Sequence, residues 1–300
     1  MIKSIEGLIE AAKQIPKKTL VVAVANDEAV LKSVEKARQE DIIHAVLVGD
    51  QSAIEDVLDQ LGFDKTNYTI IKETDPEKAC EKAVRLVSEN EGYFLMKGLV
   101  DTKTILKAAL DKDYGLRTKN RLSHLSVMSV KNYHKLMIMT DGAMNIQPTV
   151  DEKQEIIENA AKIAHALGIK KPNVGMIAAV EKVNPKMQAT LDAKTLKERQ
   201  QNGDIKDVII DGPFAIDNAI NKEAAKQKGI TSAMAGDVDI LMMPLIEAGN
   251  VFYKTMMFLA DAKSASVIAG AQKPIVLTSR ADSEASKFYS IALSALVANL

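Results

Sequence analysis

The chain has 300 residues, 47% of them hydrophobic, which is enough for one large or two medium cores. With 39 Lys and Arg against 40 Asp and Glu, the net charge of −1 offers no bulk attraction to nucleic acid or to an anionic membrane. No stretch approaches the roughly 18 continuous apolar residues of a membrane span, and the first residues hold no apolar run of signal-peptide length. The single cysteine, Cys80, excludes an intramolecular disulfide and any multi-cysteine metal site, so the cytoplasm is the expected compartment. Trp is absent and aromatics make up only 4%, too few for the stacking platforms of a single-strand nucleic-acid binder.

Taken in order, the chain opens with a helix-period stretch and then an apolar strand, 19–25. Asn26 and Asp27 start a helix over 28–39, a strand follows at 43–48, and a helix runs to Leu61 before a strand at 68–71. Further strands are predicted at 93–96, 124–130, 136–140, 174–180, 208–210, 239–243 and 275–278. Further helices are predicted at 77–88, 102–110, 151–167, 250–262 and 283–298, with Gly168 placed as a C-terminal cap. Short strands alternating with longer helices imply βαβ units, and continuously apolar strands imply parallel sheets covered on both faces. The fold class read from this is α/β, with two α/β domains of mostly parallel sheet. The expected domains are 1–127 with 268–300, and 128–267.

In open parallel sheets, ligands bind beyond the carboxyl ends of the strands. Several predicted strands end in polar or glycine-containing clusters: Lys97-Gly98; Thr140-Asp141-Gly142 with Asn145, Pro148 and Thr149; Glu181-Lys182; Asp211-Gly212-Pro213 with Asp217; Pro244 with Glu247, Gly249, Asn250, Tyr253 and Lys254; and Ser279-Arg280 with Asp282 and Ser283. Each alone is also ordinary turn chemistry. The dinucleotide, P-loop, nucleophile-elbow and zinc-protease fingerprints are all missing. A phosphate site would therefore need a helix N-terminus and a cation. Residues 278–283 supply a strand end, hydroxyls, one guanidinium and a helix start. Cys80 sits on a core face with Ala83, Val84 and Val87, which argues against a nucleophile, and His165 lies off the apolar stripe of its helix and reads as solvated.

At these residues the sequence resembles the phosphate acetyl/butyryltransferase family. Pro244-x-x-Glu247-Ala248-Gly249-Asn250-x-x-Tyr253-Lys254 looks like its signature. Thr140-Asp141 with Asn145 and Pro148, Asp211-Gly212-Pro213 with Asp217, and Ser279-Arg280-x-x-Ser283 follow in the family's order. The stretch 133–148 looks most like the butyryl branch. The resemblance implies a fold of the isocitrate/isopropylmalate dehydrogenase type with its site in an interdomain cleft. It also implies direct acyl transfer between coenzyme A and phosphate, without a covalent acyl-enzyme.

On this reading butyryl-CoA, phosphate and butyryl phosphate are the expected partners. Coenzyme A is a substrate, no cofactor is bound permanently, and a homo-oligomer is expected. The resemblance carries Ser279 and Arg280 over as contacts to the acyl phosphate. In the acetyl branch an acidic residue follows that pair by several positions, whereas Ser286 stands about there in this chain. Asp282 is then a candidate for the thiol-activating base, with a helix N-cap as its alternative. Lys97, Asp141, Asn145, Asp211, Glu247, Asn250, Lys254 and Ser283 are candidate substrate contacts, with turn formation or shaping of the site as alternatives. Three other activities fit less well: a phosphate acetyltransferase, an NAD- and metal-dependent decarboxylating dehydrogenase, and a non-catalytic sensor of acyl-CoA or acyl phosphate.

Overall fold

The computed structural model describes residues 1–278 and 282–300. In chain order the elements are α1 (Ile5–Lys13), β1 (Lys18–Ala23), α2 (Glu28–Gln39), β2 (Ile43–Gly49), α3 (Gln51–Leu61), β3 (Thr69–Lys72), α4 (Pro76–Glu89), β4 (Tyr93–Lys97), α5 (Thr102–Ala109), β5 (Ser123–Ser129) and β6 (Met137–Thr140). Then come α6 (Val150–Ala166), β7 (Asn173–Ile177), α7 (Gln188–Gln201), β8 (Ile209–Phe214), α8 (Ile216–Ile220), α9 (Lys222–Gln227), β9 (Ile240–Met242), α10 (Ile246–Leu259), β10 (Lys263–Ala269), β11 (Ile275–Val276) and α11 (Glu284–Val297). The chain is α/β, and it divides into two compact units. One comprises residues 6–120 and 265–300, the other residues 1–5 and 121–264.

In the first unit the strand order is β3-β2-β1-β4-β11-β10, all parallel except the antiparallel β10–β11 pair. The strands read as continuous apolar runs because both faces are covered: Leu20–Ala23 and Phe94–Met96 are fully buried. Helix starts follow local chemistry. The carboxylate of Asp27 accepts from the Val30 N–H at 2.8 Å, Asp50 caps α3, and Asp75 caps α4 ahead of Pro76 at the first helical position. α11 packs on α2, with the Lys36 ammonium 4.8 Å from the centre of the Phe288 ring.

In the second unit the order is β5-β6-β9-β7-β8, with β5–β6 antiparallel and the rest parallel. Its core is built from methionine and aliphatic side chains around Met128, Met137, Met139, Leu241 and Met243. α6 begins with a complete capping box: Thr149 Oγ1 accepts from the Glu152 N–H, and the Glu152 carboxylate accepts from the Thr149 N–H. It ends where Gly168 adopts φ +80°, as its position in the sequence requires.

The structure departs from the sequence reading at several places, among them the short helices α8 and α9, which were not expected. β10 was not expected, because Ser264 and Ser266 interrupt its apolar run; both hydroxyls are nonetheless buried. α7 was not expected either, since its sequence is mostly Lys, Gln and Glu and buries only Thr190, Asp192, Ala193 and Leu196. α10 starts at Ile246 rather than Asn250, so the Glu-Ala-Gly-Asn motif is helical and not a turn. Asp211-Gly212-Pro213 lies inside β8 rather than after it. There the register with β7 shifts, and a chain on the sheet edge tolerates proline. His165 is half-buried rather than solvated, and its Nε2 is shielded without a hydrogen-bond partner among the described residues.

Candidate active site

In the second unit, β6, β9 and β7 run parallel, so their carboxyl ends lie along one edge. The loop after β6 is held there by Asp141. Its Oδ1 accepts from the backbone N–H groups of Ala143 (2.8 Å) and Met144 (3.0 Å). Its Oδ2 accepts from the His124 N–H (3.1 Å) and the Asn145 amide (2.6 Å). Four protein donors therefore engage this buried carboxylate, and the geometry gives it the job of shaping the loop. Asn145 is buried beside it and also donates to the Leu122 carbonyl at 2.9 Å.

α10 is fastened to the same loop. The Asn250 amide donates to the Gly142 carbonyl at 3.1 Å. Gly249 is the buried residue of the helix, and a Cβ added to it would lie 2.3 Å from the Asp141 carbonyl oxygen and 2.8 Å from Gly142 Cα. Only glycine allows the two backbones to approach this closely. Glu247 and Lys254 are exposed on α10. Asp211 accepts from the Lys197 ammonium at 2.6 Å and from the Gly212 N–H at 2.8 Å. Burial pushes its carboxyl up, but Lys197, Ser232 and the Gly212 N–H outweigh that and hold it below the usual carboxylate range.

A cavity of about 740 Å³ opens between the residues that follow β7 and β9 and the N-terminus of α6. Pro148, Val150, Ala178, Ala179, Met187, Ala189, Pro244 and Leu245 give it a largely apolar lining, with the side chains of Gln147 and Gln188 among them. Lys153 and Asp192 also line it, as a buried pair 2.5 Å apart, and the Gln188 amide donates to the same aspartate at 2.8 Å. The sequence reading singled out neither residue. Lys153 lies four residues after the capping threonine, but nothing local marks a lysine as buried.

In the first unit, Lys97 ends β4 and its ammonium donates to the carbonyls of Gly98 (3.2 Å) and Val100 (3.0 Å). Ser279 and Arg280 lie outside the described residues. After them, the helix cap is Ser283 and not Asp282: its Oγ accepts from the Ser286 N–H at 3.1 Å and donates to Ser286 Oγ at 3.1 Å. The Asp282 carbonyl accepts from the buried Lys287 ammonium at 2.7 Å. Cys80 is fully buried, and that burial pushes its thiol up to about 11, which disfavours a thiolate nucleophile. Among the described residues no group of three or more His, Cys, Asp and Glu is arranged to hold a metal ion, and no helix is long and apolar enough to cross a membrane.

Comparison with known proteins bears on this arrangement as a whole. The model of the phosphate acetyl/butaryl transferase family matches residues 72–295. A phosphate butyryltransferase of Clostridium beijerinckii is 45% identical over 298 residues, 99% of each chain. A phosphate acetyltransferase of Thermotoga maritima is 46% identical over 294 residues, 98% of this chain and 99% of its own. Among solved structures, a branched-chain phosphotransacylase from Enterococcus faecalis superposes with a TM-score of 0.83 at 31% identity, covering 94% of this chain and 99% of that one. A likeness of this depth along nearly the whole chain supports a phosphotransacylase over the dehydrogenase and sensor alternatives. The chain belongs to the phosphate acetyl/butyryl transferase family and is a phosphotransacylase.

Proposed function

We propose that this phosphotransacylase moves a butyryl group between coenzyme A and inorganic phosphate by direct transfer, with both substrates bound at once. The thiol sulfur forms a bond to the acyl carbon of butyryl phosphate, the carbon–oxygen bond to phosphate breaks, and the thiol proton passes to a base. The reading is carried by the end-to-end likeness to the Clostridium beijerinckii enzyme.

Arg280 is assigned the acyl phosphate and the charge that develops on the carbonyl oxygen, with Ser279 as a hydroxyl donor. Their place in the sequence, just ahead of α11, supports this, because the helix N-terminus favours an anion. Asp282 is assigned the thiol proton. A thiol of pKa roughly 8.5 is already about 3% ionised at neutral pH, so a base gains at most about 30-fold. A preorganised donor is worth about 10²–10³, which makes Arg280 the larger contributor. Holding thiol and acyl phosphate together lowers the barrier further.

Overall identity does not separate butyryl from acetyl, since relatives of both kinds match equally well. The apolar cavity beside α6 favours the longer chain. Two extra methylenes at about 0.8 kcal/mol each correspond to roughly 15-fold in kcat/KM. The test is phosphate-dependent release of free coenzyme A from acyl-CoA substrates of increasing length, repeated with Ala179→Leu. We expect butyryl-CoA to lead in the wild type and the substituted enzyme to lose that lead while keeping acetyl-CoA turnover. Acetyl-CoA turned over as well as butyryl-CoA by the wild type would refute the chain-length assignment.

A further inference from the structure

Lys153 and Asp192 are buried charges in the wall of a cavity that is otherwise largely apolar. The ammonium donates to Asp192 Oδ2 at 2.5 Å, and the Gln188 amide donates to Asp192 Oδ1 at 2.8 Å. An ammonium has three N–H donors, and a carboxylate has about four acceptor positions. Among the described residues the Lys153 ammonium uses one donor, and Asp192 uses one position for each of its two partners. Two N–H bonds and about two lone-pair positions are thus unmet by protein, on side chains only 4% exposed. Stability does not account for the pair, because apolar side chains of similar volume commonly serve a fold as well as a buried ion pair does. A butyryl chain does not account for it either, since it has no oxygen beyond its carbonyl to offer this corner.

We propose that Lys153 and Asp192 are specificity determinants that extend the transferase activity to short acyl groups carrying a hydroxyl on carbon 3. The inference rests on the assignment of this cavity to the acyl chain. A hydroxyl both accepts and donates, so it takes a hydrogen bond from the Lys153 ammonium and gives one to the Asp192 carboxylate. The pair is neutral as a whole and therefore suits a neutral oxygen, whereas a terminal carboxylate on the acyl chain would meet the like charge of Asp192. Carbon 3 follows from the chemistry of the chain. A hydroxyl on carbon 2 stays beside the reacting carbonyl, and one on carbon 4 attacks that carbonyl to close a five-membered lactone. Donor and acceptor lie together on one wall, so one enantiomer presents its hydroxyl to both and the other turns it away. The transfer itself is unchanged. A phosphate oxygen bonds to the acyl carbon, the carbon–sulfur bond breaks, and the coenzyme A thiolate leaves and is protonated, while the hydroxyl takes no part. In a wholly apolar pocket, burying that hydroxyl without partners would cost about 10–100-fold in kcat/KM.

Phosphate-dependent release of coenzyme A by the full chain tests this, with butyryl-CoA, the two enantiomers of 3-hydroxybutyryl-CoA and succinyl-CoA as substrates. One enantiomer should reach a kcat/KM within about 5-fold of butyryl-CoA, the other should fall at least about 10-fold below it, and succinyl-CoA about 100-fold or more. Lys153→Met combined with Asp192→Leu, shown to be folded by circular dichroism melts, should lower the ratio of the favoured enantiomer to butyryl-CoA about 10-fold or more. A merely structural role would lower both substrates together and leave that ratio unchanged, which would overturn the proposal. The wild-type comparison needs no variant: both enantiomers more than about 5-fold below butyryl-CoA would overturn it, as would enantiomers used equally or succinyl-CoA used as well as the favoured one. Ala179→Leu separates this inference from the reading beneath it. If that substitution leaves the preference for butyryl-CoA over acetyl-CoA untouched, the assignment of the cavity fails and the inference with it. If it abolishes the preference while the hydroxylated substrates behave as in an apolar pocket, the inference alone fails.

Discussion

Gly249→Ala is the substitution for which local and tertiary effects are most sharply opposed. In a helix interior, alanine is favoured over glycine by about 1 kcal/mol, so on α10 taken alone the change stabilises. In the folded protein the new methyl would lie 2.3 Å from the Asp141 carbonyl oxygen and 2.8 Å from Gly142 Cα, both backbone atoms that no rotamer change can remove. Restoring ordinary contact requires the loop to retreat by about 1 Å. That retreat stretches the Asn250–Gly142 bond of 3.1 Å and disturbs the four bonds that seat Asp141. Losing two or three of these at about 1 kcal/mol each, with the strain of overpacking, outweighs the helical gain and leaves a net destabilisation of about 1–3 kcal/mol. The assays are thermal unfolding, where the melting temperature should fall by several degrees, and steady-state coenzyme A release, where kcat/KM should fall at least about 10-fold as the loop shifts. A higher melting temperature with unchanged kinetics would show that the loop yields freely, and the account of how Asp141 and α10 support one another would be wrong.

The remaining predictions concern the first unit and the buried pair. Arg280→Ala should lower kcat by about 10²–10³ with the fold intact, and Arg280→Lys should still be impaired because it lacks the guanidinium fork; near-normal kcat at saturating substrates would remove the transition-state role. Asp282→Asn should cost no more than about 30-fold, and the loss should shrink as pH rises toward the thiol's own pKa; a pH-independent loss above about 10⁴ would rule out Asp282 as the base. Cys80, buried and pushed up to about 11, should resist alkylation at pH 8 in the native state and react on unfolding, and Cys80→Ala should keep most activity; labelling without unfolding would contradict its placement. Lys153→Met should cost about 3–5 kcal/mol by stranding the Asp192 carboxylate, while Lys153→Met with Asp192→Leu should recover most of that loss in denaturant unfolding. Equal losses in the single and double variants would mean that the pair itself stabilises the fold.

Much of the architecture was legible in the sequence because it rests on local rules. Apolar runs of four to seven residues alternating with helical periodicity specify parallel α/β structure, and the helix over Glu28–Gln39 was placed to the residue by the Asp27 cap and its pattern. The order of polar clusters along the chain also carried the family resemblance. What stayed hidden depends on partners far away in sequence. Ser264 and Ser266 look wrong for a buried strand until the Ser266 N–H is seen to find Ser290 Oγ at 2.9 Å, 24 residues on. Lys153 looks like any helix-surface lysine until α7 brings Asp192 to it. Asp141 reads equally as ligand or turn: Ala143 and Met144 engage its Oδ1 locally, and only the arrival of the His124 N–H from β5, beside Asn145, commits Oδ2 to the protein as well. Glu-Ala-Gly-Asn reads as a turn because glycine and asparagine favour one, yet here the glycine is the residue that lets α10 close on the loop after β6. Periodicity and capping are properties of a few neighbouring residues, so the sequence by itself determined them. A buried charge, a close backbone approach and the occupancy of a carboxylate are properties of which segments meet, and only the tertiary structure decided those.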